Sequence, residues 1–275
     1  MRPAFGVCLG AVAMMAAARP AFAQLQARAE PVRSSIDARA GVPVARDVAI
    51  TNCGQVPVVV RVRLSDWTID ARGDMEPLPA GSESTSLAGC VRFEPAGFSL
   101  APGETGRIHV TLTPPADGPA TRWGVLLSEI RPAIARPAGS GPRAIAELGS
   151  TFYLSRTAAG RAQPELAALD IVPLGGDSVA VRARIRNPGE RHFYVSGGVS
   201  LTDSAGAVVR AGPLPTGVVL PGREREFTWT CDTRLIPGRY AATATLDTGL
   251  PELLVGETRW TQCAVSPAAP LASRH

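Results

Sequence analysis

Three histidines, five cysteines and no lysine in 275 residues leave little from which to build a reactive centre. Acyl transfer needs a nucleophile, a base and oxyanion donors that converge, and a serine nucleophile usually announces itself on a strained Gly-x-Ser-x-Gly turn. No such turn occurs. His109 lies inside the apolar-alternating stretch from Arg107 to Leu112, His192 follows Asn187-Pro188-Gly189, and His275 ends the chain. The acidic pairs fare no better as glycosidase dyads. Asp70 with Asp74 and Glu224 with Glu226 are the pairs on offer, and the alternation Arg223-Glu224-Arg225-Glu226 reads better as the exposed end of a strand. Gly139-Ser140-Gly141-Pro142 lacks the Lys-Ser/Thr that follows a phosphate-cradling loop. The cysteines are scattered, with no histidine at ligand spacing, so neither a metal site nor a cofactor is expected. At 5% aromatic residues no base-stacking platform is in view, and Trp67, Trp123, Trp229 and Trp260 read as core packing.

The chain's ends fix its expected compartment. Arg2, the apolar run from Ala4 to Ala18 and Ala21-Phe22-Ala23 compose a secretory signal peptide over residues 1–23, cleaved before Gln24. The mature protein is therefore expected in the periplasm or at the cell surface, with no further membrane insertion. Arg2 and Arg19 leave with the signal, so the net charge falls from +4 to 4 − 2 = +2. That weak field does not suggest nucleic acid as a partner. Cys53, Cys90, Cys231 and Cys263 remain, an even number in an exported protein, and three pairings are open on paper. Spacing favours Cys53 with Cys90 and Cys231 with Cys263. Each such loop would contribute about 3 to 4 kcal/mol through chain entropy.

Positioning any site here falls to strands. Val58, Val60, Val62 and Leu64 alternate with Arg61, Arg63 and Ser65, the pattern of an antiparallel strand with one buried face. Similar short segments recur over 91–93, 97–100, 107–112, 123–130 and 144–154, separated by Pro/Gly turns, and no helical period appears. A second series runs from Leu166 to Cys263. In it Arg182, Arg184 and Arg186 alternate with Val181, Ala183 and Ile185, and the arginine row reads as a solvated face. Both series share a grammar: Asn52-Cys53-Gly54 and Asn187-Pro188-Gly189 close an early strand, and Pro102-Gly103 and Pro221-Gly222 precede a later one. The expected fold is all-β, two immunoglobulin-like β-sandwich domains in tandem after the signal peptide. Their expected extents are 24–156 and 165–265, with a linker over 157–164, where few contacts need cross, and a disordered tail over 266–275.

The run V-R-F-E-P-A-G-F-S-L-A-P-G-E-T-G-R-I-H-V-T-L (91–112), then T-R-W-G-V-L-L-S-E-I (121–130) and A-I-A-E-L-G-S-T-F-Y-L (144–154), resembles the N-terminal domain of the periplasmic pilus chaperones, the PapD-like superfamily, over about residues 30–155. The resemblance implies a non-enzymatic role in pilus or surface-fibre assembly, in which the last strand of the first domain pairs with an exported subunit by β-strand addition. It also implies two cleft cations that hold the subunit's terminal carboxylate. Counting from Gly41 and Asn52 places the first near Ile36, three residues from both Arg33 and Arg39; the second falls on Ser150. The apolar alternation of the lent strand is reduced to Gly141, Arg143 and Ile145. Candidate partner-binding residues are thus Ile145, Leu148, Phe152, Arg143, Arg39 and Arg33, with Phe152 read chiefly as core. The partner would be an exported subunit or an envelope protein, and no small-molecule substrate is implied. The second half resembles generic bacterial surface modules, which keeps a second reading open: a cell-envelope adhesion or structural scaffold of two immunoglobulin-like domains.

Overall fold

The computed structural model describes residues 25–133, 145–175, 178–233 and 235–262. The stretches read above as signal peptide and C-terminal tail, with Arg143 and Cys263, lie outside the described residues. Ten strands build the first domain: β1 (Ala27–Glu30), β2 (Arg33–Ala38), β3 (Val44–Asn52), β4 (Val58–Ile69), β5 (Met75–Pro79), β6 (Val91–Glu94), β7 (Gly97–Leu100), β8 (Thr105–Leu112), β9 (Thr121–Pro132) and β10 (Ala146–Arg156). One sheet has the order β1-β3-β8-β6, and the facing one has the order β2-β10-β9-β4-β5 with β7 also on β4. The second domain follows with β11 (Glu165–Gly175), β12 (Ser178–Arg186), β13 (Phe193–Asp203), β14 (Val208–Pro213), β15 (Gly217–Val219), β16 (Glu224–Asp232), β17 (Gly238–Asp247) and β18 (Leu254–Gln262). Its sheets run β11-β12-β16 and β14-β13-β17-β18, with β15 on β13. The chain is an all-β pair of immunoglobulin-like sandwiches.

Alternation drives both cores. Ile108, Val110 and Leu112 of β8 point inward with Val48, Ile50, Val60, Leu126, Phe152 and Leu154, while Arg107, His109 and Thr111 point out. In the second domain Val181, Ala183 and Ile185 pack with Val199, Leu201, Phe227 and Leu246. The arginine row on the outer face of β12 meets the glutamates of β16: Arg182 Nε lies 3.7 Å from Glu226 and Arg184 Nε 3.4 Å from Glu224. The two charge runs seen in the sequence thus face each other across one strand pair.

The shared grammar of the halves has a physical cause. Asn52 is fully buried; its Nδ2 donates to Val56 O (2.8 Å) and Leu100 O (3.3 Å), and its Oδ1 accepts from Gly54 N (3.0 Å). Asn187, equally buried, donates to Arg191 O (2.8 Å) and Val219 O (3.3 Å) and accepts from Gly189 N (3.0 Å). Each backbone carbonyl also accepts from a Pro-Gly turn, Gly103 N for Asn52 and Gly222 N for Asn187, both at 2.8 Å. One side chain ties a hairpin turn to a distant strand, twice.

Cys53 occupies the middle of the first of these turns, exposed, with its N–H donating to Gln26 O. The expected Cys53–Cys90 bond does not form. The register Thr51↔Thr105 sets Cys53 at one end of β8, and Val91↔Leu112 sets Cys90 at the other. Eight strand residues separate the ends by about 25 Å, whereas a disulfide needs Cα atoms within about 7 Å. The expected Cys231–Cys263 pairing lies outside the described residues, because Cys263 does; Cys231 itself is half-buried. The linker carries more contacts than its small, polar composition suggests: Arg161 O accepts from the amides of both Glu190 and Arg191, and Gln163 N donates to Asn187 Oδ1. Gly189 is required beneath it, since a Cβ there would stand 2.3 Å from Arg161 O. Alkylation without reductant and peptide mapping should label Cys53 and yield no Cys53–Cys90 crosslink; recovery of that crosslink would contradict the β8 register.

Candidate functional site

β10 is paired unequally on its two sides. Against β9 it is bonded from Ala146↔Ile130 to Ser155↔Thr121. On the other side β2 runs parallel and covers Thr151 to Arg156 only, with Thr151↔Arg33 and Arg156↔Ala38. Upstream of Val32, whose carbonyl accepts from Thr151 N at 2.9 Å, the chain crosses to the opposite sheet as β1 and pairs with β3. Among the described residues, Ala146–Ser150 therefore has no hydrogen-bonded strand on this edge, although β1 passes close to β10 on its way to the opposite sheet.

The period of two sorts the side chains of this strand. Ala146, Leu148, Phe152 and Leu154 turn to the first core, and Ser150 is buried on the same parity with its hydroxyl unpartnered. Glu147 turns outward to Arg63 at 2.7 Å, and Tyr153 turns to the second domain. Of the residues expected to meet a partner, Ile145 is 52% exposed just before the open edge, and Val32 beside it is 67% exposed. Leu148 is half-buried. Phe152 is 1% exposed and backs the strand from inside, so it offers a partner no surface. Arg33 lies opposite Thr151 with its guanidinium 4.1 Å from the Tyr194 ring centre. Ile36, the position to which counting along the sequence leads for the first cation, is a core residue. Arg39 follows β2 at its far end, about 20 Å along the strand from Arg33, and is not brought to it. Ser150, expected at the second cation position, faces the core.

The junction between the domains is apolar and aromatic. Trp67 and Ile69 of β4, Trp123, Val125 and Leu127 of β9 and Tyr153 of β10 pack against Val218 and Leu220 with Tyr194. The Tyr153 ring stacks on His192, centres 4.3 Å apart and planes at 15°, and meets Trp67 and Tyr194 edge-on at 6.0 and 5.9 Å. Ser35 Oγ lies 3.1 Å from His192 Nε2, and Arg191 pairs with Asp37. A second contact comes from the β4–β5 turn, where Glu226 N donates to Ala71 O at 2.6 Å. Gly73 there adopts φ +96°, and a Cβ would stand 2.5 Å from the Arg225 guanidinium, which itself donates to Val218 O. A groove of about 620 Å³ opens beside the stack, bordered by Arg161, Arg191, Tyr194, Asp247 and Leu250.

Burial sets the electrostatics of this junction. It raises the Tyr153 and Tyr194 phenols, so both stay neutral, and lowers the Arg225 guanidinium somewhat. Burial, with Arg191 next in chain, pushes the His192 imidazole down to about 4. Ser35 and His192 make only the first link of a serine-type relay. His192 Nδ1 has no partner, Asp37 is engaged by Arg191, and so acidic an imidazolium leaves a poor base. No group of three or more His, Cys, Asp or Glu side chains suited to a metal occurs among the described residues.

No protein-family model matches the sequence, and neither does any curated protein. Among solved structures, the chain is similar to the YadV chaperone at 12% identity, over 85% of this chain and 99% of that one, with a TM-score of 0.45. It is similar to the E. coli chaperone DraB at 12% identity over 86% and 98% of the two chains (TM-score 0.41), and to the Pseudomonas aeruginosa CupB2 chaperone at 16% over 86% and 99% (0.36). Identities and scores this low leave the site's chemistry to be judged on its own geometry.

Sequence reasoning passed over Tyr194 and took Trp67 and Trp123 for ordinary core. A signal was available in the parity: Val58, Val60 and Val62 face the core of the first domain, so Trp67 and Ile69, of opposite parity on the same strand, face away. Phe193 and Val195 likewise enter the second core and turn Tyr194 outward. Tyr153→Ala should lower stability by about 3 kcal/mol in urea titration, as for other buried aromatics, whereas Asp37→Ala at the exposed ion pair should cost less than about 1 kcal/mol.

Proposed function

We propose that this chain is a non-enzymatic, exported chaperone-like protein that takes a partner polypeptide as an added strand along Ala146–Ser150, in the assembly of pili or other surface fibres in the periplasm. The observation that carries the reading is the unequal pairing of β10, which leaves five residues, about 17 Å of strand, without a ladder partner on one side among the described residues, so that alternate residues point their N–H and C=O groups to that edge. A strand laid there gains hydrogen bonds of about 0.5 to 1.5 kcal/mol each, and the exposed Ile145 and Val32 give it apolar contact at either side. Arg33 stands where the edge meets the junction and offers a cation to an acidic or terminal group. Pilus or fibre subunits as the partner class come from the sequence resemblance, not from the edge itself. The second reading, a two-domain envelope scaffold, is favoured by the apolar seam of Trp67, Tyr153 and Val218, which suits a stiff spacer.

Affinity capture of the mature protein from periplasm, with mass spectrometry of what accompanies it, separates the two. Ile145→Asp should leave the melting temperature unchanged and reduce recovery of small exported subunits about tenfold or more, a loss of at least 1.4 kcal/mol in binding. Leu148→Asp should also destabilise the fold by about 2 to 4 kcal/mol, because that side chain is packed on the core. Unchanged recovery with Ile145→Asp would remove the edge as the interface, and a clean monomer in the wild type would favour the scaffold.

A further inference from the structure

His192 belongs to the second domain by sequence and to the first by contact. Its ring is stacked on Tyr153 of β10, and its Nε2 meets Ser35 of β2. The two nitrogens are treated differently: Nε2 has the serine hydroxyl, while Nδ1 is buried with no hydrogen-bond partner. Charges of both signs surround the ring, and the carboxylate that acts on it is already engaged. From β2 come Arg33, over the Tyr194 ring that meets His192 edge-on at 6.0 Å, and Asp37, already paired with Arg191. Arg191 precedes His192 directly, and Arg225 of β16 interacts electrostatically with both Tyr153 and Asp70. Across the groove stand Arg161 and Asp247. Tyr153 and Tyr194 contribute neutral phenols.

We infer that His192 is a proton-operated latch between the two domains: neutral, it holds Tyr153 and Ser35; protonated, it leaves the stack, and the domains part at the junction. An imidazolium needs an acceptor at each nitrogen. Here the Nδ1 proton would point into buried space without one, among guanidinium groups whose nearest carboxylate is occupied. The ring can charge only by moving to water, and doing so uncovers Tyr153, Trp67 and Val218. The latch acts on the junction and does not depend on the partner proposed above.

The sign follows from linkage. The closed-state value of about 4 lies below the ordinary 6.5, so the closed arrangement loses stability as pH falls below 6.5, and the loss levels off below about 4. Between pH 7.5 and 5.0 the ratio of open to closed molecules should rise about thirtyfold. Small-angle scattering of the mature chain at the two pH values, with far-UV circular dichroism to verify that both sandwiches remain folded, reads this directly. The wild type and His109→Gln, whose histidine is an exposed partner of Asp47, should both expand at pH 5.0. His192→Gln should give the same dimensions at both. Should that variant fail to fold, the NMR titration of His192 in the wild type decides. A midpoint well below 6.5, with ring shifts that track the expansion, supports the latch. An unperturbed midpoint, a wild type that keeps its dimensions at pH 5.0, or a His192→Gln variant that expands like the wild type would overturn it.

Discussion

The buried amide of Asn187 holds together the parts from which the junction is made. Its Nδ2 fixes Arg191 O, and so the residue before His192, and it reaches Val219 O, between the two apolar residues that the second domain contributes. Its Oδ1 takes Gly189 N and the linker's Gln163 N. Loop, strand and linker converge on one side chain because a buried amide left unpaired costs about 1 to 3 kcal/mol per group, which forces each neighbour into a single place. Asn52 does the same in the first domain, but there the hooked turn faces solvent and ends in an exposed cysteine. The same device therefore has a local consequence in one sandwich and an interdomain one in the other.

Much of this was legible before the fold was known. Alternation over 58–64, 107–112 and 181–186 gives the buried faces of β4, β8 and β12, and the repeated Asn-x-Gly and Pro-Gly signals mark hooks whose bonding is the same in both domains. Ile145, expected inside a strand over 144–154, stands one residue ahead of β10 with its side chain exposed. What stayed hidden was non-local. Nothing in the Arg33–Ala38 stretch states that it will run parallel to β10 for six residues and no more, since that length is set by where the chain crosses between sheets. The Cys53–Cys90 pairing failed for a related reason: separation along the chain says nothing about which end of a strand each residue reaches.

The junction itself was obscured by a habit of assigning every buried aromatic to a core. Trp67, Trp123 and Tyr153 are indeed buried, but on the strand faces that the first core does not use. A sandwich with large side chains on both faces of neighbouring strands has a second neighbour to bury them against. Here that neighbour is the other domain, and Arg33, Arg191 and Arg225 line its rim. The all-arginine basic complement suits such a site, because guanidinium groups stack on rings and stay charged where an ammonium would be neutralised.

The bonds from Arg161 O to Glu190 N and Arg191 N bear on how these modules can be exchanged. From Arg161 onward the linker is folded as part of the second sandwich, whereas Thr157 N is still bonded to Ala38 O of the first. Freedom to set the crossing angle is confined to the few residues between, where Ala158 and Gly160 both adopt left-handed backbone. Grafting the second domain onto another first domain should therefore cut ahead of Gly160, and a graft that began at β11 would deprive Asn187 Oδ1 of Gln163 N and the transplanted loop of Arg161 O.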